Sequence, residues 1–269
     1  MIFARRMCAE VILSCTVIAG CAPPAELPPV QTLDVGGAKI AYIVQGEGEP
    51  VILIHGWRSS AGINWVLPGT SGALAKEFQV VAFDIRGHGK SDKPAEEGAY
   101  GPELVEDVMR LMDHLKIEKA HIVGYSMGGM IAANFVVRHP DRVRSLTLGG
   151  MGWMKEGGAA QWFFSQVGKK DKDAKAHAVC GRSLAKFALT EDEIKSIEAP
   201  VTVLVGADDR VVEKLYVEPL QKVRPDWPVI EIQGGGHFTT IVKQQFRDEL
   251  IAAIKKNATS PAADKPLAP

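Results

Sequence analysis

Five residues constrain this chain more than any others. Gly124-Tyr125-Ser126-Met127-Gly128 stands between the apolar run His121-Ile122-Val123 and the helix-like run Ile131-Ala132-Ala133-Asn134-Phe135-Val136-Val137. A serine between glycines at a strand-to-helix junction demands a sharp turn with strained backbone angles, and the glycines give that turn clearance. The hydroxyl is left exposed. The helix beginning beside it aims amide protons and the positive end of its dipole at any oxyanion formed there. Such a junction needs a strand ending at a crevice with a helix packed behind it, and Ser126 becomes the candidate nucleophile.

The rest of the chain keeps the same rhythm. Short apolar runs at residues 31–35, 38–44, 51–55, 80–84, 121–125, 145–148, 201–205 and 229–232 read as strands. Gly36-Gly37 joins the first two as a hairpin. The others are separated by stretches of helical spacing, including 102–115 and 127–138, as parallel strands require. A chain of 269 residues, 46% hydrophobic and 23% charged, fits one α/β domain with short extensions. Its 31 Lys and Arg against 32 Asp and Glu give a formal charge of -1, so no basic excess points to nucleic acid as a partner.

Between residues 149 and 199 the rhythm breaks. No strand pattern is visible there; Trp153, Trp162, Phe163 and Phe164 come first, then a Lys/Asp-rich stretch at 169–175. The interval reads as an inserted helical lid. Its four aromatics serve either ordinary packing or the wall of a substrate pocket.

The serine junction, together with the loops after the last two strands, resembles the α/β-hydrolase family over residues 31–256. The resemblance implies a mostly parallel eight-stranded sheet flanked by helices, with the short lid at about 150–199 inserted after strand 6. It also implies the chain order nucleophile, acid, histidine. After the seventh strand stands Gly206-Ala207-Asp208-Asp209, and after the eighth Gly234-Gly235-Gly236-His237-Phe238. The family spacing G-x-x-D selects Asp209 as the acid, with Asp208 as the competing choice. A hydroxyl is a weak nucleophile and needs a base, and an imidazole, ordinarily titrating near 6.5, suits that task in His237. The turn His55-Gly56-Trp57 resembles the family's H-G-x turn, which implies oxyanion donors at the backbone N–H groups of Trp57 and Met127. Residues 83–91 resemble its D-x-R-G-x-G-x-S loop, which reads as structural: Asp84 and Arg86 tie a turn, while His55 and His88 hold loops rather than act as bases.

The reaction implied is cleavage of a carboxylic ester, a lactone or a thioester through an acyl-enzyme on Ser126, with no cofactor. His114, His121, His139 and His177 lack Cys or acidic partners at metal-ligand spacing, so no metal site is assigned. Serine at the junction sets the chain apart from dehalogenases and epoxide hydrolases of this fold, which use aspartate. Hydrolysis of a C–C bond and cofactor-free haloperoxidase or perhydrolase chemistry remain open with the same three side chains. So does a catalytically idle binding protein on the same scaffold.

The N-terminus points to export. Arg5 and Arg6 precede an apolar run at 11–20 followed by small residues and proline, the order of a secretory signal. Ile18-Ala19-Gly20-Cys21 resembles the lipobox of bacterial lipoproteins, which implies a signal peptide at 1–20 and an acylated Cys21 tethering the protein to a membrane. The protein would then face the periplasm or the cell exterior. An ordinary signal cleaved near Ala22 or Ala25 is the other reading. Residues 21–30, rich in proline, read as a linker and 257–269 as a tail. Cys8 and Cys15 would leave with the signal, so Cys180 would be the one unmodified thiol.

Overall fold

The computed structural model describes residues 28–170 and 176–258. The expected signal peptide, Cys21, most of the proline-rich linker and nearly all of the tail lie outside the described residues. Eight strands form one sheet: β1 (Gln31–Asp34), β2 (Lys39–Gln45), β3 (Pro50–Ile54), β4 (Gln79–Phe83), β5 (Ala120–Tyr125), β6 (Val143–Gly149), β7 (Val201–Gly206) and β8 (Val229–Ile232). Each sits on its apolar run, with ends displaced by at most two residues. The spatial order is β1-β2-β4-β3-β5-β6-β7-β8. β1 and β2 form the hairpin, β2 is antiparallel to β4, and every pairing from β4 through β3 to β8 is parallel.

Helices α1 (Thr70–Leu74), α2 (Pro102–His114), α3 (Met127–Arg138), α4 (Ala159–Lys170), α5 (Ala176–Ser183), α6 (Glu191–Lys195), α7 (Arg210–Val212), α8 (Glu218–Val223) and α9 (Gln244–Ala258) complete the described chain. Alternation along the strands splits the core in two. Ile52, Ile54, Val81, Phe83 and Ile122 meet α2 and α3 on one face. Val51, Leu53, Val80, Ala82 and Val123 meet Trp65, Leu74 and the α9 residues Phe246, Leu250 and Ile254 on the other. Period-two side-chain alternation makes this division unavoidable once both faces are covered. The apolar stripe of α2, Leu104, Val108 and Leu111, is fully buried, and each such side chain stabilises the fold by roughly 1.5–3 kcal/mol.

Helices α4, α5 and α6 occupy the interval between β6 and β7. Their buried residues Val179 and Ile194, with Leu184 and Phe187 from the turn after α5, join the α2/α3 core. Among the described residues no helix is long and apolar enough to cross a membrane.

In loop 83–91 the two residues read as structural hold separate partners. Asp84 accepts from the amides of Ala61 and Lys90 at 2.8 and 2.7 Å. Arg86 reaches Asp107 on α2 with two parallel bonds of 2.9 and 2.7 Å. Both partners of this pair are buried, and a planar guanidinium meets a carboxylate best in this two-pronged form.

Candidate active site

The junction after β5 is the turn its sequence requires. Ser126 has φ 52 and ψ -117, a positive φ for a residue that is not glycine. Strain of this kind persists only where surroundings over-determine it. Here the amide of Ser126 donates to Gly149 at 2.8 Å, while its carbonyl accepts from Gly129 at 2.8 Å. The flanking glycines are steric necessities. A methyl at Gly124 would overlap the carbonyl of Gly128, and a methyl at Gly128 would overlap that of Ile54. Helix α3 can thus sit against the ends of β3 and β5, and Ser126 projects from the gap.

Two loops deliver the remaining groups. A methyl at Gly206 would strike the Gly235 carbonyl and Thr240 Oγ1, so the loops after β7 and β8 lie against one another. Tyr125, buried just before the serine, donates its O–H to the His237 carbonyl at 2.6 Å and fixes the histidine loop from below. Burial, with Asp209 nearby, holds that phenol well above the ordinary tyrosine range.

Three predicted side chains meet. Ser126 Oγ lies 2.9 Å from His237 Nε2, and His237 Nδ1 lies 2.7 Å from Asp209 Oδ2. Asp209 is buried, and its other oxygen accepts from the Val212 amide at 3.3 Å as the cap of α7. Asp208 is exposed and does not reach the histidine. Of the two adjacent aspartates, Asp209 is the one that is buried and in contact with the histidine.

The two predicted donor positions lie on segments next to the serine. Met127 opens α3, and a first-turn amide has no acceptor within its own helix. The Gly56-Trp57 turn stands beside the serine, since a methyl on Gly56 would lie 3.5 Å from Ser126 Cβ. Asn64 Oδ1 accepts from the Gly56 amide at 2.8 Å and pins that turn. His55 accepts from the Ile85 amide at Nε2, 2.9 Å away, and places Nδ1 2.7 Å from the Gly56 carbonyl. Those partners specify a neutral ring with its proton on Nδ1. Burial, and the neighbouring His88, lower its pKa to about 3. His55 is therefore a fastener of loops.

A cavity of about 440 Å³ opens over Ser126 and His237, within the ordinary range for small-molecule sites. Its wall is largely apolar: Met130, Met151, Phe163, Phe164, Val212 and Leu215. Two of the four predicted lid aromatics belong to it, Phe163 and Phe164. The other two do not. Trp153 is 2% exposed, lies in the core and donates its Nε1 proton to Leu189. Trp162, 65% exposed, faces outward on α4. Each residue along a helix rotates the side chain by about 100°, so Trp162 and Phe164, two residues apart, cannot share a face.

Sequence reasoning missed the far wall, Val211, Val212, Leu215 and Tyr216, because the segment after β7 carries no periodic signal of its own. Among the described residues no three His, Cys, Asp or Glu side chains gather as a metal ion needs.

Comparison with known proteins agrees with this architecture. The family model described as alpha/beta hydrolase fold matches residues 49–192. The acetyltransferase component of the acetoin cleaving system of Pseudomonas putida is 40% identical over 134 residues, covering 49% of this chain and 35% of that protein. A 2-hydroxymuconate semialdehyde hydrolase of a Pseudomonas species is 40% identical over 111 residues, covering 39% and 37%. The chain thus spans little more than a third of these curated relatives. Among solved structures, a meta-cleavage product hydrolase from Pseudomonas fluorescens superposes with TM-score 0.68 at 24% identity, covering 84% of this chain and 97% of the other. A thermophilic esterase from Thermogutta terrifontis gives 0.70 at 20% identity, covering 86% and 98%.

Proposed function

Since the chain belongs to the α/β-hydrolase fold family, we propose that it is a serine hydrolase cleaving a neutral carboxylic ester, lactones and thioesters included. The observation that carries this reading is the hydrogen-bonded series from Ser126 through His237 to Asp209 at 2.9 and 2.7 Å, beneath an apolar cavity.

Asp209 accepts a hydrogen bond from the Nδ1–H of His237, which keeps the proton on Nδ1 and leaves the Nε2 lone pair facing Ser126. Nε2 takes the hydroxyl proton as Oγ attacks the ester carbonyl, and the amides of Met127 and Trp57 receive the developing oxyanion. Collapse expels the alcohol, which leaves with the proton from Nε2, and the acyl group stays on Ser126. Water then attacks with His237 as base, the acid departs, and Oγ regains its proton. Each oxyanion donor contributes roughly 3–4 kcal/mol in related chemistry.

The cavity wall favours esters over the carboxylate-bearing products of ring cleavage. Its described lining residues include no Lys or Arg, so a carboxylate entering it would lose water without gaining a counter-charge. The test is a panel of fluorogenic esters of increasing acyl length, run beside a dienoate substrate, on wild type and Ser126→Ala. Ester turnover lost by orders of magnitude in the variant supports the reading. Dienoate turnover exceeding that of every ester replaces it with C–C hydrolysis.

For localisation, we propose export and acylation at Cys21, supported by Arg5, Arg6, the apolar run at 11–20 and the sequence Ile18-Ala19-Gly20-Cys21. Cys21→Ser should move the protein from the membrane to the soluble fraction. Unchanged fractionation removes the tether.

A further inference from the structure

The chain has four tyrosines, and three have hydroxyls satisfied within the protein. Tyr42 donates to Gln31 Oε1 at 3.1 Å, Tyr100 to the Pro94 carbonyl at 2.7 Å, and Tyr125 to the His237 carbonyl at 2.6 Å. Tyr216 is as deeply placed, 7% exposed, yet its hydroxyl makes no hydrogen bond among the described residues. It is also not sealed away, as the orphaned Nε1 of Trp65 is. Tyr216 is among the residues that line the cavity holding Ser126 and His237.

We infer that Tyr216 is a substrate-recognition residue, its phenol donating a hydrogen bond to a neutral oxygen acceptor carried on an otherwise apolar ester. The inference rests on the serine-hydrolase reading and deepens it by naming the substrate class. Three observations bear on it. First, the backbone that carries the phenol is held in place. Trp153 N–H donates to the Tyr216 carbonyl at 2.9 Å, and a methyl at Gly152 would overlap that same carbonyl. The turn carrying Tyr216, Glu213–Val217, is π-helical and is clasped against the end of β6. Single π-turns recur at functional sites because they re-aim one side chain without ending the helix.

Second, the hydroxyl is a donor at working pH. Burial pushes it up to about 12, so it stays protonated. Third, apart from Ser126, Asp209 and His237, which are already engaged with one another, the remaining side chains around it are apolar. A hydroxyl in such a wall forfeits hydration unless an incoming group replaces it. With no Lys or Arg among the described lining residues, that group is a carbonyl, ether or hydroxyl oxygen rather than an anion.

Tyr216→Phe removes this one oxygen. The experiment measures kcat/KM of the full chain for a plain hexanoyl ester and for analogues bearing an ether or keto oxygen at successive chain positions. Expected is at least one oxygenated analogue favoured over the plain ester by about tenfold in wild type, with that ratio lost in Tyr216→Phe and the change residing mainly in KM. Thermal melting of the variant checks that the fold is kept. A ratio identical in both proteins at every oxygen position overturns the inference while the hydrolase reading stands. Ester turnover that does not depend on Ser126 overturns both.

Discussion

His55 provides a stability switch whose size derives from its surroundings. Its ring is fully buried, accepts a hydrogen bond at Nε2 from the Ile85 amide, and is held to about 3 by burial and the neighbouring His88, against an ordinary 6.5. Between those values the unfolded chain binds a proton that the fold refuses. Stability from this group is therefore complete above about pH 6.5 and falls by ~1.4 kcal/mol per pH unit below it, down to about pH 3. At about pH 5 the loss is roughly 2 kcal/mol, a sizeable share of the 5–15 kcal/mol typical of a domain. Urea unfolding of wild type and His55→Gln near pH 7.5 and pH 5 isolates it. His121 is also lowered by burial, opposed by Glu49, but it acts alike in both proteins and cancels. Wild type should lose about 2 kcal/mol more than the variant between the two conditions. Equal losses would refute a neutral, fastened His55.

Asp209→Asn should lower kcat by about 10²–10⁴, since the amide misorients the imidazole, whereas Asp208→Asn should stay near wild type; equal effects in an ester assay would contradict the assignment of the acid. Arg86→Leu leaves the buried Asp107 carboxylate with Arg110 alone, 2.9 Å away, and should destabilise by about 3–5 kcal/mol; a shift below about 1 kcal/mol in denaturant unfolding would show that Arg110 suffices. Trp153→Phe should lower the melting temperature without altering acyl-length preference, while Phe163→Ala should do the reverse; the same ester panel and a melting curve decide.

The middle of the sheet was legible because β3, β4, β5 and β7 are buried over nearly their whole length and mostly apolar, and because Gly124 and Gly128 admit so few alternatives around Ser126. His237 and Asp209 were found from chain order and from loops placed just after strands, both local signals. What escaped was long-range. Nothing near Arg86 in sequence announces Asp107 on α2 as its partner. Trp153 and Trp162 looked alike as lid aromatics, but one is drawn into the core by its bond to Leu189 and the other turned outward. Tyr216 lines the cavity from a π-helical turn, Glu213–Val217, that no sequence pattern announces. Asn64, which pins the Gly56-Trp57 turn, sits in a short π-helical segment, Gly62–Val66, with no motif of its own.

The central claim is that Ser126 is made nucleophilic by its neighbours, and covalent labelling tests it without any assumption about substrate. Folded protein treated with a fluorophosphonate should gain a single adduct by intact mass. Peptide mapping should place it on Ser126, Ser126→Ala should gain none, and His237→Ala should react far more slowly. Adduct formation elsewhere in wild type, or undiminished labelling of Ser126 once His237 is removed, would contradict the account.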